Sequence, residues 1–180
     1  AMAEAAQYSE SPLLTAEVEA GTLPPVAERL PKEPYVSKAP EVGQYGGTFR
    51  GAGFGPTHGQ LDTEGMRFVG LLRVLPDTST TEPFVLKSYD VNEDFSEYTL
   101  HLREGMKWSD GEAFTADDFV FWYENICLDD EVANILKTGV VGRTMFKNGE
   151  EIVGKVEKVD DITVKVSFVT AMPSFLVRMQ

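Results

Sequence analysis

The feature that most constrains this chain is a change of apolar spacing between Tyr98 and Cys127. Tyr98, Leu100 and Leu102 alternate with Thr99 and His101, the spacing of a strand with one buried face. Further on, Phe119, Tyr123 and Ile126 fall on one helical face, with Val120 and Cys127 beside it. The stretch KWSDGEAFTADD, Lys107 to Asp118, has to convert one element into the other. Asp110-Gly111 is a strong turn signal. Thr115 suits an N-cap, and Asp118 three residues on gives a capping-box-like arrangement. A helix is therefore predicted over about 116–127.

The same stretch is rich in acids: Asp110, Glu112, Asp117 and Asp118, with Glu104 just upstream. Catalytic carboxylates need a shared cleft and one raised pKa. These acids instead occupy turn and cap positions, which account for them. Asp117 and Asp118 in the first helical turn gain roughly 0.3–1 kcal/mol each from the helix dipole. A calcium loop needs D-x-[DN]-x-[DN]-G with a distal Glu, and SDGEAFTADD does not fit. GAGFG at 51–55 is followed by Pro56 where a dinucleotide loop needs glycine, and Gly154-Lys155 is followed by Val156, so neither phosphate-binding pattern holds. There is no GxSxG elbow. No catalytic residue, metal or cofactor is expected.

Elsewhere, residues 12–20 read as a short helix ended by Gly21, and the proline-rich run 24–34 as irregular chain wrapping a larger body. A new unit begins at 43, with a short strand from Thr48 to Arg50. Residues 63–75 carry Met66, Val69 and Leu72 at helical spacing, although the last of them also suit a strand. Segments 84–91 and 98–102 read as a hairpin about the polar turn NEDFSE, and 155–168 as two strands about Asp160-Asp161. The loop 51–58 carries the candidate ligand contacts. Glycines 51, 53 and 55 permit sharp turns and close approach. Phe54, between two of them, is either a buried anchor or a ligand platform, and His58 is placed to face a ligand. Gly53, Phe54, Gly55 and His58 are accordingly the candidate binding residues.

The chain of 180 residues carries a net charge of −13, which argues against nucleic acid and against anionic membrane surfaces. Cys127 is the single cysteine, so there is no disulfide framework or CxxC pair. No apolar run approaches the roughly 20 residues of a membrane span. The start, AMAEAAQ, reads as a cloning scar on a trimmed chain without a signal peptide, and the apolar end, PSFLVRMQ, as a truncation.

The segment YTLHLREGMKWSDGEAFTADDFVFWYENI (98–126) resembles the hallmark of bacterial extracellular solute-binding proteins, family 5, the oligopeptide-, dipeptide- and nickel-binding components of ABC importers. Tyr98 to Arg103, Lys107-Trp108, Asp110-Gly111 and Thr115 to Asp118 match the family pattern in order. KVEKVDDITVKVSFVTAMPSFLVRM resembles the family's strand–Asp-Asp–strand segment, and GTLPPVAERLPKEP with VGQYGGTFR the lead-in of its larger members. Leu61-Asp62-Thr63 and Ser88-Tyr89 depart from the usual Leu-Asp-Pro and Ser-Trp, which bears on ligand class more than on fold.

The resemblance implies a mixed α/β (α+β) chain of periplasmic-binding-protein type II, present in part: a lead-in over 1–42, then an N-terminal lobe portion with its inserted subdomain over 43–180, the second lobe absent. It implies a monomeric binding protein, not an enzyme, located in the periplasm or outside the cell, with or without a lipid anchor. Its implied partners are a small-molecule or peptide solute and ABC permease subunits. A peptide is the family's default solute. An oligosaccharide-binding member is the alternative, and a carbohydrate-acting hydrolase using two of the acids is the reading from another class.

Overall fold

The computed structural model describes residues 8–37, 41–48, 50, 69–75, 80–136, 140 and 142–179. Its centre is an antiparallel four-stranded sheet in the order β3 (Leu86–Val91), β4 (Glu97–Leu102), β8 (Thr163–Phe168), β7 (Gly154–Asp160). Both expected hairpins are present, and β4 pairs β8 to join them. The register sets Tyr98 opposite Val166 and Leu100 opposite Val164, all four buried. Opposed residues share a face, so alternation in each strand becomes one continuous apolar face. Their polar neighbours Thr99, His101, Thr163, Lys165 and Ser167 take the other face, only half-buried.

The apolar face is covered by helix and loop. α1 (Thr15–Glu19) and α2 (Val26–Arg29) belong to the lead-in. α3 (Ala116–Phe121) continues into a π-helical segment, Trp122–Cys127, followed by α4 (Asp130–Ile135), and α5 (Ser174–Arg178) follows β8. A 3-10 turn at Arg143–Met145 leads into the small hairpin β5 (Lys147–Asn148) and β6 (Glu151–Ile152), which turns at Gly149. α3 lies over β7 and β8. Rings fill the layer between: Phe146 and Phe168 centroids are 5.5 Å apart, Tyr98 and Phe175 5.0 Å, and Tyr123 and Phe146 5.7 Å. Both buried phenols are satisfied, Tyr98 donating to Met172 O (3.0 Å) and Tyr123 to Gly154 O (2.8 Å). Burial pushes both phenols, and the Cys127 thiol, above their ordinary pKa.

Several elements differ from the sequence reading. The helix over 116–127 is α-helical only to Phe121. Beyond it Leu128 N bonds Tyr123 O at π spacing, and the buried stripe is Ala116, Tyr123 and Cys127, with Phe119 and Ile126 half-buried. The carbonyls at that wider end are taken by basic side chains: Arg143 Nη1 donates to Cys127 O and Asp129 O, and Lys147 Nζ to Leu128 O. Asp130 accepts from both Lys147 and Arg143, and Lys147 above all holds its carboxyl below the usual range. Leu72 is not helical. Leu72–Val74 form β1, paired with β2 (Thr81–Pro83), so the strand option holds there, and Met66 lies outside the described residues. Thr48 and Arg50 carry no strand, while Phe49 between them lies outside the described residues. The proline-rich run is not wholly irregular, since α2 starts directly after Pro25, which stands at its N-cap.

Gly154 opens β7 where Phe146 and Phe168 converge. A Cβ there would lie 2.9 Å from Met145 O and 2.9 Å from Cδ1 of each ring. Gly154→Ala is therefore expected to cost about 1–3 kcal/mol through overpacking, read as a lower denaturation midpoint at unchanged slope.

Candidate functional site

Strand β4 ends at Leu102, and the acid-rich stretch begins one turn later. Gly105, at φ +83°, lets the chain reverse where Glu104 O accepts from Lys32 N (2.9 Å). Arg103 donates to Phe84 O (2.9 Å) and Glu33 O (2.8 Å), and Lys107 Nζ to Glu28 O (3.0 Å), so the lead-in is tied along this turn. Lys107 and Ala113 then form an antiparallel bridge, closed by the turn at Gly111 (φ +95°). Phe114 N donates to Met106 O, and Thr115 starts the helix.

Each acid has a local partner or a solvent position. Asp118 Oδ2 accepts from Thr115 N (2.7 Å) while Thr115 Oγ1 caps the first turn, completing the capping box, and Asp118 Oδ1 accepts from Trp108 Nε1 (3.2 Å). Asp117 pairs with Lys158 (2.7 Å). Asp110 accepts from Glu112 N (3.0 Å) within the turn, Glu104 pairs with Lys32, and Glu112 is exposed. Asp110 is thus engaged within its own turn and Asp117 with Lys158, which accounts for both carboxylates locally. Asp161 O receives Ala116 N (2.9 Å), and the Asp161 carboxylate also holds Lys158 (2.7 Å). The helix start is thus pinned to the β7–β8 turn. Asp117 first, then Asp161, push the Lys158 ammonium up to about 12.

Among the described residues no group of three His, Cys, Asp or Glu could hold a metal ion. His101, expected to project from its strand, pairs with Asp90 across the sheet (2.9 Å). The candidate binding residues Gly53, Phe54, Gly55 and His58 lie outside the described residues. What the sequence did not signal is an open apolar groove of about 710 Å³ beside the capped helix. Strand residues Leu100, Val156 and Val166 line it together with the aromatic Trp108 and Trp122 and, near the end of the chain, Val177. No periodicity within one element marks it, because its lining comes from seven separate segments of the chain.

A strand, a tight turn and a capped aromatic helix docked on the next strand pair make a scaffold unit. The family model for bacterial extracellular solute-binding proteins, family 5, matches residues 80–180, the whole of that unit. The chain belongs to this family. It is 37% identical to the periplasmic alpha-galactoside-binding protein of Rhizobium meliloti over 93% of its length, which is 26% of that protein. Against the dipeptide-binding protein of Escherichia coli it is 34% identical over 52% of its length, 19% of that protein. Among solved structures, an oligopeptide-binding protein OppA superposes with a TM-score of 0.80 at 37% identity, covering 98% of this chain and 26% of that one. MelB of Agrobacterium fabrum, in complex with stachyose, superposes at 0.73 and 33% identity, covering 98% and 29%. The fold is thus the mixed α/β one of these periplasmic binding proteins. The chain spans about a quarter or less of the length of the curated relatives it matches.

Two outcomes follow from the pinned helix. Thr115→Ala is expected to cost about 0.5–2 kcal/mol in chemical denaturation, as loss of an N-cap does. The raised Lys158 pKa means the fold favours the protonated ammonium. Its contribution is complete below the ordinary value of 10.5 and fades as pH rises from there through about 12. Melting temperatures measured across that window should fall less steeply in Lys158→Met than in the wild type.

Proposed function

We propose that the chain is part of the solute-capturing subunit of an ABC importer, a monomeric periplasmic or extracellular binding protein and not an enzyme. It would supply a portion of the N-terminal lobe with its inserted subdomain, residues 1–42 as lead-in and 43–180 as the lobe portion, and a second lobe from the parent protein would close over the solute by hinge motion. Permease subunits are its downstream partner, and nucleic acid is disfavoured by the charge of −13. The observation that carries the reading is that the acid-rich motif is used up in capping, turn formation and the Lys158 clamp, in a chain of this family.

For the cargo, an α-galactosidic oligosaccharide is the first reading. The likeness to the alpha-galactoside-binding protein extends over 93% of the chain and that to stachyose-bound MelB over 98%, the lead-in included. An oligopeptide, the sequence expectation, is the second, favoured by the TM-score of 0.80 to OppA. Gly53, Phe54, Gly55 and His58 remain the proposed contacts from this lobe.

A thermal-shift screen of the full-length parent with stachyose, mixed oligopeptides and nickel tests this. Saturating cargo should raise the melting temperature, with stabilisation of about 2.7 kcal/mol at a hundred times Kd. The same cargo should leave the isolated 180-residue chain unmoved. A shift with peptides alone would reverse the order of cargoes. An equal shift in the isolated chain would overturn the two-lobe account.

A further inference from the structure

The hairpin of β5 and β6 carries chemistry that neither the sheet nor the groove uses. Its turn runs Asn148-Gly149-Glu150-Glu151, with Asn148 paired to Glu151 and Gly149 at φ +61°. Asn148, Gly149 and Glu150 are all exposed, and a Cβ on Gly149 would meet nothing within 4 Å. Among the described residues, neither the Asn148 side chain nor the Gly149 N–H has a hydrogen-bond partner. An unengaged side-chain amide therefore stands directly before a free and uncrowded backbone amide, and asparagine is among the thermolabile side chains.

The other asparagines are held. Asn92 Oδ1 accepts from Ser96 N (2.9 Å) and Glu97 N (2.9 Å), while its Nδ2 donates to Ser96 Oγ (3.0 Å). Asn125 lies in the π-helical segment and Asn134 in α4, each followed by an isoleucine whose branched side chain crowds the next amide. The related Asp110-Gly111 pair is tied as well, since Gly111 N donates to Trp108 O (3.0 Å) and Asp110 accepts from Glu112 N (3.0 Å). The β5–β6 hairpin also yields more easily than its surroundings. Its strands are two residues each, and a two-stranded hairpin is marginal in water, so the excursion that brings Gly149 N onto Asn148 Cγ costs little.

We propose that Asn148 is a self-modification site, converting to aspartate and isoaspartate without an enzyme or cofactor. Gly149 N attacks Asn148 Cγ, the new C–N bond closes a succinimide, and the Cγ–Nδ2 bond breaks. Nδ2 leaves as ammonia, taking up the proton that Gly149 N gives up. Water then opens the ring. Hydrolysis at Cγ restores the ordinary backbone as aspartate, and hydrolysis at the main-chain carbonyl leaves the chain running through Cβ and Cγ as isoaspartate. No electrons are transferred, and water is the co-reactant. Either product places a new negative charge beside Glu150 and Glu151, and isoaspartate lengthens the backbone where residue 148 pairs with Glu151. The site is independent of the solute and of the importer reading.

The test incubates the folded full-length parent at neutral and mildly alkaline pH, with a synthetic peptide of residues 145–154 alongside. Peptide mapping by mass spectrometry locates the change from amide to acid, and labelling by an isoaspartyl carboxyl methyltransferase reports isoaspartate. The expected result is conversion at 148 ahead of 92, 125 and 134, at a rate close to that of the peptide and rising with pH as base removes the Gly149 amide proton. Asn148→Gln should lose the isoaspartyl label. An Asn148 that keeps its amide in the folded parent after the peptide has converted would show that the tip is closed and overturn the proposal. Conversion led by another asparagine, or an undiminished label in Asn148→Gln, would overturn it equally.

Discussion

The capped helix and the sheet hold together through the β7–β8 turn. Residues 116 and 161 are far apart in sequence, yet Ala116 N donates to Asp161 O while Lys158 spans Asp117 and Asp161. The backbone bond satisfies one of the free donors that every helix start presents, and does so with a carbonyl from another element. It therefore fixes where α3 crosses the sheet as well as where it begins. Once that crossing is set, Ala116 and Tyr123 fall onto β7, Tyr123 reaches Gly154 O, and the Phe146 and Phe168 rings close over the glycine. Any surface ion pair here is worth little by itself. Lys158 matters because it sits on a backbone contact that already determines geometry.

Much of this was legible because the elements involved are locally self-consistent. β4 and β8 alternate without interruption, and Thr115 and Asp118 stand at capping-box spacing, so strand, cap and helix start were each readable from a few residues. What was not legible depends on partners remote in sequence. The switch to π geometry after Phe121 is completed by Arg143 and Lys147, some twenty residues on. β2 ends in Pro83, a residue that normally argues against a strand, and exists because Leu72–Val74 lie beside it. α4 carries Asp129 as its own N-cap, a signal present in the sequence but hidden among neighbouring acids. As for the candidate site, glycine, Phe54 and His58 were chosen by residue type within a loop, and residue type alone does not bring distant segments together. The groove illustrates the converse, since seven segments build it and none announces it.

The acidic motif shows how composition misleads when it is read without geometry. Five carboxylates within fifteen residues, Glu104 to Asp118, invite a catalytic or metal reading. Chemistry would require two of them to converge on one space with their charges in conflict, raising the pKa of one. Here Asp118 closes the capping box, Asp117 and Glu104 pair with lysines, Asp110 stabilises its own turn and Glu112 is exposed. The acids instead hold a strand, a turn and a helix in fixed relation to one another, through the capping box, the Asp110 turn and the Lys158 clamp.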